Sequence, residues 1–213
     1  MIDKMRIAKF FILASLLVAA AACAPKPQEA AGPSALDVIF SRKSVRSYTD
    51  QPVTDEQVET MLRAAMAAPT GMNVQPWRFV VIRDQAVKEK LAGPRGGMIA
   101  QAPVVFVICG ETTLMRKPFG QPDAEAVEVE NGNWTQDCSA ATENLLLAAT
   151  AQGLGAVWTA AYPHEDRIAA VRSILSIPER YIPLCVVPVG FPADPSAKPK
   201  DKWKLERIHK ERF

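Results

Sequence analysis

Apolar positions along the 213-residue chain change period several times, and each change marks an element. Pro103-Val104-Val105-Phe106-Val107-Ile108-Cys109 is a continuous apolar run, which predicts a strand covered on both faces. Residues 79–82, 156–161 and 184–190 read as further buried strands. Between them the pattern lengthens to helical spacing. Thr54-Asp55-Glu56-Gln57 forms a capping box ahead of Val58, Met61, Leu62 and Ala65, which share one helical face until Pro69. Ser34 caps a shorter helix to Phe40, with Leu36, Ile39 and Phe40 on one face. Polar helices are predicted over 84–91 and 165–173. The strongest helical pattern is 134–152, where Cys138, Ala141, Leu145, Ala148 and Ala149 keep helical spacing and Gly153 supplies the stop. Leu146 and Leu147 widen its apolar surface, so this helix is expected to be central, in a monomer core or at a homodimer seam. Residues 111–133 have no clear period, two prolines and acidic groups at Glu125, Glu128 and Glu130. They read as an irregular, mobile cover over a site, or as a surface excursion. Helices alternating with apolar strands predict an α+β or three-layer α/β domain.

The N-terminal pattern is different in kind. Lys4, Arg6 and Lys9 precede an apolar run over 10–22, too short as a helix (about 20 Å) for a bilayer core of about 30 Å. It ends in Ala20-Ala21-Ala22-Cys23, a small-residue cleavage context that also resembles a lipobox, with Ala20 where a Leu is usual. Residues 1–23 therefore read as a signal peptide with Cys23 as the lipidation candidate. Plain secretion and an uncleaved anchor are the alternatives. Residues 24–33, proline-rich and without apolar period, read as a tether, and 34–213 as the folded domain. This organisation implies export to a bacterial cell envelope, with any membrane contact made through the lipid anchor.

Composition narrows the function classes. Without residues 1–22 the chain carries 22 basic and 22 acidic groups, so no global basic field supports a nucleic-acid partner. Beyond Cys23 an odd number of cysteines remains, with no CxxC and no metal-ligand spacing. Cys109 and Cys185 sit in apolar runs and read as inert buried thiols. His164 and His209 are isolated, so no metal site is expected and no hydrolytic triad is in sight. Gly93-Pro94-Arg95-Gly96-Gly97 matches no nucleotide fingerprint and reads as a connection.

The chemistry concentrates at Ser41-Arg42-Lys43-Ser44-Val45-Arg46-Ser47-Tyr48. Period-two spacing puts Arg42, Ser44 and Arg46 on one side of an extended segment, where forked guanidinium donors and a hydroxyl suit a phosphate. A salt-bridged surface is the alternative for this segment alone. A second motif follows, Ala68-Pro69-Thr70-Gly71-Met72-Asn73-Val74-Gln75-Pro76-Trp77. A basic tail, Lys198-Pro199-Lys200-Asp201-Lys202-Trp203, ends the chain. The apolar set Trp203, Leu205 and Ile208 argues that this tail docks.

The Arg-x-Ser-x-Arg and Ala-Pro-small-small-x-Asn-x-Gln-Pro-Trp motifs, in this order, resemble the FMN-dependent nitroreductase family. The likeness continues through Gly153-Leu154-Gly155-Ala156-Val157-Trp158 to the tail. It implies the α+β, three-layer α/β/α nitroreductase fold: a mixed central sheet flanked by helices, in an intertwined homodimer with an exchanged C-terminal strand. It implies FMN as cofactor and NADH or NADPH as co-substrate, with ping-pong hydride transfer to a nitroaromatic, quinone or similar small-molecule acceptor. The cofactor-binding set implied is Arg42, Lys43, Ser44, Arg46, Thr70, Gly71, Asn73, Thr159, Ala160, Ala161, Lys200 and Lys202. Arg42, Lys200 and Lys202 are expected at the phosphate, and Arg46 at the pyrimidine edge. Ser44 is expected at the ribityl or pyrimidine polar atoms. Thr70, Gly71 and Asn73 are expected to come from the partner subunit, and residues 159–161 to pass the flavin N5 side with only a backbone N–H to offer. No protein group is expected as a catalytic acid or base. A reductive dehalogenase or flavin-modifying enzyme of the same fold, and a non-catalytic flavin-holding envelope protein, are the alternatives.

Overall fold

The computed structural model describes residues 32–213 other than 96 and 119. Residues 1–23, expected to be a leader with Cys23 as the lipidation candidate, and nearly all of the expected tether over 24–33 lie outside the described residues. In chain order the elements are α1 (Ala35–Ser41), α2 (Asp55–Met66), a 3₁₀ turn (Gly71–Asn73), β1 (Trp77–Ile82), α3 (Gln85–Ala92) and α4 (Met98–Gln101). There follow β2 (Val104–Glu111), β3 (Thr113–Arg116), β4 (Val127–Glu130), α5 (Trp134–Ala151), β5 (Gly155–Ala156), β6 (Thr159–Ala160), α6 (Glu165–Leu175) and β7 (Tyr181–Gly190).

Local chemistry sets the helix starts. The Thr54 side chain accepts from the Gln57 amide while the Gln57 side chain accepts from the Thr54 amide, so the capping box that opens α2 is complete. Ser34 and Asp37 do the same for α1. Among the described residues the main sheet has five strands in the order β1-β2-β7-β5, with β6 beside β5 on the same edge of β7. The ladders between these strands are antiparallel. The parallel component of the sheet is a single bridge, Ser44 with Ala156.

Two-sided burial explains the apolar runs. Val104, Phe106 and Ile108 face one core with Met61 and Ala65 of α2 and Cys138, Ala141 and Leu145 of α5. Val105, Val107 and Cys109 face the other, with Val171 of α6 and the half-buried Val87, Leu91, Met98 and Ile99. Helices thus cover both faces, giving the expected three layers. The central role of α5 is visible in its buried residues, which run from Trp134 to Ala149 and include Asp137 and Thr142.

Several expectations are corrected. The single strand over 156–161 is two short strands in one register, Ala156 opposite Val189 and Thr159 opposite Val186, interrupted at Val157 and Trp158. The strand over 184–190 begins at Tyr181. Residues 111–133 are not irregular throughout: β3 and β4 pair as a hairpin, Leu114 opposite Val129. The cause is a Val-Glu-Val-Glu alternation at 127–130, a period-two signal that reads as a mere acidic stretch. The helix α4, four residues long, is hidden among glycines. On α1 the face is reversed: Val38 is buried, while Leu36, Ile39 and Phe40 are 48 to 71% exposed. Trp203, Leu205 and Ile208 also remain exposed, so the tail's apolar groups are not covered by the described residues.

Burial disposes of the thiols. Cys109, Cys138 and Cys185 are free and buried. Desolvation pushes the Cys109 and Cys138 thiols from an ordinary 9.0 up to about 12 and Cys185 higher still. All three are expected to resist a thiol reagent at pH 8 in the native protein and to react on unfolding, as mass spectrometry of their peptides would show. The pKa is raised on folding, so this contribution to stability is whole below pH 9.0 and is lost as pH rises toward about 12. Modification of any of the three in native protein would contradict this burial.

Candidate functional site

The segment after α1 is held in place by its apolar residues, which leaves its polar ones outward. The Val45 amide donates to the Ala156 carbonyl at 3.0 Å. The Val45 side chain fills the space above Gly155, where a β-carbon would come within 2.5 Å of it. Tyr48 is buried beside Gly190, its hydroxyl 2.7 Å from the Val45 carbonyl and 3.1 Å from the Pro188 carbonyl. With Val45 facing in, extended geometry turns Ser44 and Arg46 out.

A cavity of about 350 Å³ opens on this segment. Arg42, Ser44 and Arg46 line one side, and Lys198, Lys200 and Lys202 of the tail line the other. Lys43 is also at the cavity, but its ammonium donates to the Pro195 carbonyl at 3.4 Å and to that of Ala197. It acts as a strap that draws the tail across the segment, where sequence alone suggested a direct cofactor contact. Arg42 shares its Nε with Glu143 of α5 at 3.0 Å, which fixes the guanidinium plane and leaves its terminal nitrogens to the cavity. The one carboxylate at the cavity, Asp194, accepts from the amide and hydroxyl of Ser196 at 2.9 and 2.6 Å. Those bonds, with Lys43 adding a smaller pull, hold its pKa below the ordinary value. The donors therefore outnumber the acceptors, and the set suits a phosphomonoester. Lys198 was missed as a site residue. Its signal is the Lys-x-Lys-x-Lys alternation of the tail, which puts all three ammonium groups on one side of an extended chain.

The other expected residues lie elsewhere in the subunit. Thr70, Gly71 and Asn73 do not line this cavity. They form a tight turn in which Met72, Asn73 and Gln75 have φ of 52, 57 and 53°. The Gly71 amide donates to Asp137 Oδ1 at 3.1 Å. Thr159, Ala160 and Ala161 form the edge next to β7. The Thr159 hydroxyl donates to the Val186 carbonyl at 2.6 Å and the Ala161 amide to the Leu184 carbonyl at 2.9 Å. Antiparallel alternation turns the Ala160 amide away from β7, and the Ala160 carbonyl accepts from Arg167 at 3.2 Å. Of the three residues, Ala160 thus carries the outward backbone N–H. Immediately beyond, the Tyr162 ring meets Trp134 edge-on at 4.9 Å. The first turn of α5 therefore touches both loops, through Trp134 and through Asp137. Among the described residues no group of His, Cys, Asp or Glu could hold a metal ion, and no helix is long and apolar enough to cross a membrane.

The model of the nitroreductase family matches residues 39–96 and 90–191. A Methanothermobacter thermautotrophicus protein that carries the provisional name NADH dehydrogenase/NAD(P)H nitroreductase is 39% identical over 180 residues, covering 84% of this chain and 87% of the relative. A Bacillus subtilis FMN reductase [NAD(P)H] is 31% identical over 190 residues, 82% of this chain and 72% of its own. The crystal structure of a Bacteroides thetaiotaomicron protein, under the same provisional name as the first, superposes with a TM-score of 0.74. It shares 43% sequence identity and covers 86% of this chain and 100% of that one.

Proposed function

The chain belongs to the nitroreductase family, and from that premise we propose that it is an FMN-dependent NAD(P)H oxidoreductase acting on nitroaromatic, quinone or similar small acceptors. The observation that carries this reading is the cationic cavity shared by residues 42–46 and the tail. Bound FMN would supply the redox chemistry, taking a hydride from NAD(P)H and passing two electrons to the acceptor. The chain's residues bind and orient. Arg42, Lys198, Lys200 and Lys202 neutralise the phosphate through charge-assisted contacts, Lys43 keeps the tail in place, and Ser44 takes a polar atom of the ribityl or pyrimidine. Arg46 supplies positive charge at the pyrimidine edge. Ala160 offers the backbone N–H expected near the N5 side. No side chain is asked to move a proton.

The subunit does not complete this site alone. The turn at 70–73 is absent from the lining of the cavity, and α1 and the tail leave large apolar groups in water. A homodimer in which each subunit's turn serves its partner's flavin accounts for both. The leader over 1–23 supports an envelope location, where the electron donor would differ from the cytoplasmic pool.

The test is the visible spectrum of protein lacking residues 1–23, before and after anaerobic NADH or NADPH. The expected result is close to one FMN per subunit, bleached by at least one of the two nucleotides. A colourless protein that does not take up added FMN would overturn the reading.

A further inference from the structure

Asp137 is a carboxylate on the buried stripe of α5, only 6% exposed. Its Oδ1 accepts from the Gly71 amide across 66 residues of sequence, and its Oδ2 is buried with no hydrogen-bond partner among the described residues. A buried charge satisfied on one oxygen alone is costly, so packing by itself would favour an apolar residue at this position. What the carboxylate holds is also costly. Met72, Asn73 and Gln75 are all in the left-handed region without being glycine. The turn closes on itself through Asn73 to Thr70, Val74 to Gly71 and Gln75 to the Thr70 hydroxyl, at 3.2, 3.1 and 3.3 Å. It is tied to the body of the protein at Gly71. There a β-carbon would come within 2.7 Å of Nδ2 of Asn133, the residue that precedes α5, so glycine gives the amide its approach to Asp137 without displacing that side chain. Within this turn Met72 stands 64% exposed.

We infer that Asp137 is a positioning residue that holds the 70–75 turn in its left-handed form for contact with the flavin ring, an inference that rests on the flavin reading above. In the proposed dimer it would act on the partner's ring site and leave the phosphate cavity of its own chain untouched, because that cavity is lined by residues within 42–47 and 194–202 and meets α5 through Glu143, six residues beyond Asp137.

The test uses the full chain and its Asp137→Ala and Asp137→Asn variants. Flavin fluorescence gives the Kd for FMN and for riboflavin, which lacks the phosphate. Competition with inorganic phosphate reports the cavity separately. Loss of a buried bond to a charged group predicts riboflavin binding weakened about tenfold or more in Asp137→Ala. The inhibition constant of phosphate should be unchanged. Asp137→Asn keeps an oxygen that can accept from Gly71 and should recover most of the affinity. Hydrogen exchange over 70–75 should quicken in Asp137→Ala and stay slow in Asp137→Asn, with or without flavin. If Asp137→Ala does not fold, Asp137→Val, which fills the position without offering an acceptor to the Gly71 amide, should give the same split. Unchanged riboflavin binding with unchanged exchange would overturn the inference. So would a joint loss of riboflavin and phosphate binding that Asn does not rescue, since that marks general damage to the fold. A wild-type protein that binds no flavin sinks the functional reading instead, and the exchange result then judges the clamp on its own.

Discussion

A Lys200→Glu, Lys202→Glu variant is expected to be purified colourless and to bind added FMN far more weakly than the wild type. Each charge-assisted bond to a phosphate contributes about 1.5–3 kcal/mol, so losing two removes roughly two to four decades of affinity. Both lysines are exposed, and screening by solvent and salt places the effect at the lower end of that range. Riboflavin affinity should be little changed, which separates loss of phosphate recognition from loss of the ring site. Thermal stability without flavin should also be little changed, because the tail contributes nothing to either core. The FMN affinity of the wild type should fall with rising salt, while that of the variant should hardly respond. Wild-type FMN affinity in the variant would mean that the tail does not close the cavity around a phosphate.

Gly155→Ala is expected to damage both stability and cofactor retention. The new β-carbon would lie 2.5 to 2.8 Å from three atoms of the Val45 side chain. Neither side can give easily. Gly155 is paired to Gly190 in the sheet, and the Val45 amide is bonded to Ala156. Overpacking of this kind costs about 1–3 kcal/mol, with each kcal/mol worth about 2–4 °C in Tm for a domain of this size. The segment that would be pushed off β5 carries Arg42, Ser44 and Arg46, so FMN affinity should fall with the Tm. Adding Val45→Ala removes the two γ-carbons but leaves Val45 Cβ 2.6 Å from the new atom, so rescue should be partial. A Gly155→Ala protein with wild-type Tm and wild-type FMN binding would show that the segment is not seated there.

How much of this was legible in the sequence varied with the kind of signal. Continuous apolar runs such as 103–109 are hard to misread, because two-sided burial leaves no polar position to blur the pattern. Capping boxes at Ser34 and Thr54 were equally plain, being complete within four residues. The alternation of Arg42, Ser44 and Arg46 survived because Val45 really does face the core. The bonds of Lys43 to carbonyls of residues 195 and 197 were not legible, since no local pattern announces a bond to a distant backbone. The β3–β4 hairpin was missed because four-residue strands give too few periods to count. Asp137 could have been found: it lies on the same stripe as Trp134, Cys138, Ala141 and Leu145, and a carboxylate amid buried apolar positions is an anomaly that asks for a partner. The outward face of α1 could not have been, since an apolar stripe shows that something covers it and not whether that cover belongs to the same chain.

The two walls of the phosphate cavity come from nearly opposite ends of the folded domain, with Lys43 reaching Pro195 across 152 residues. Synthesis runs from the N-terminus, so the first wall is made long before the second exists. The cavity cannot be assembled until Lys198, Lys200 and Lys202 have emerged. Loading of the cofactor thereby waits on the tail, and a product truncated before Lys198 would lack the second wall of the cavity. A bound flavin would in turn act as a clasp between the 42–46 segment and the tail, so that the loaded protein resists local opening of these two segments while the empty one opens there first.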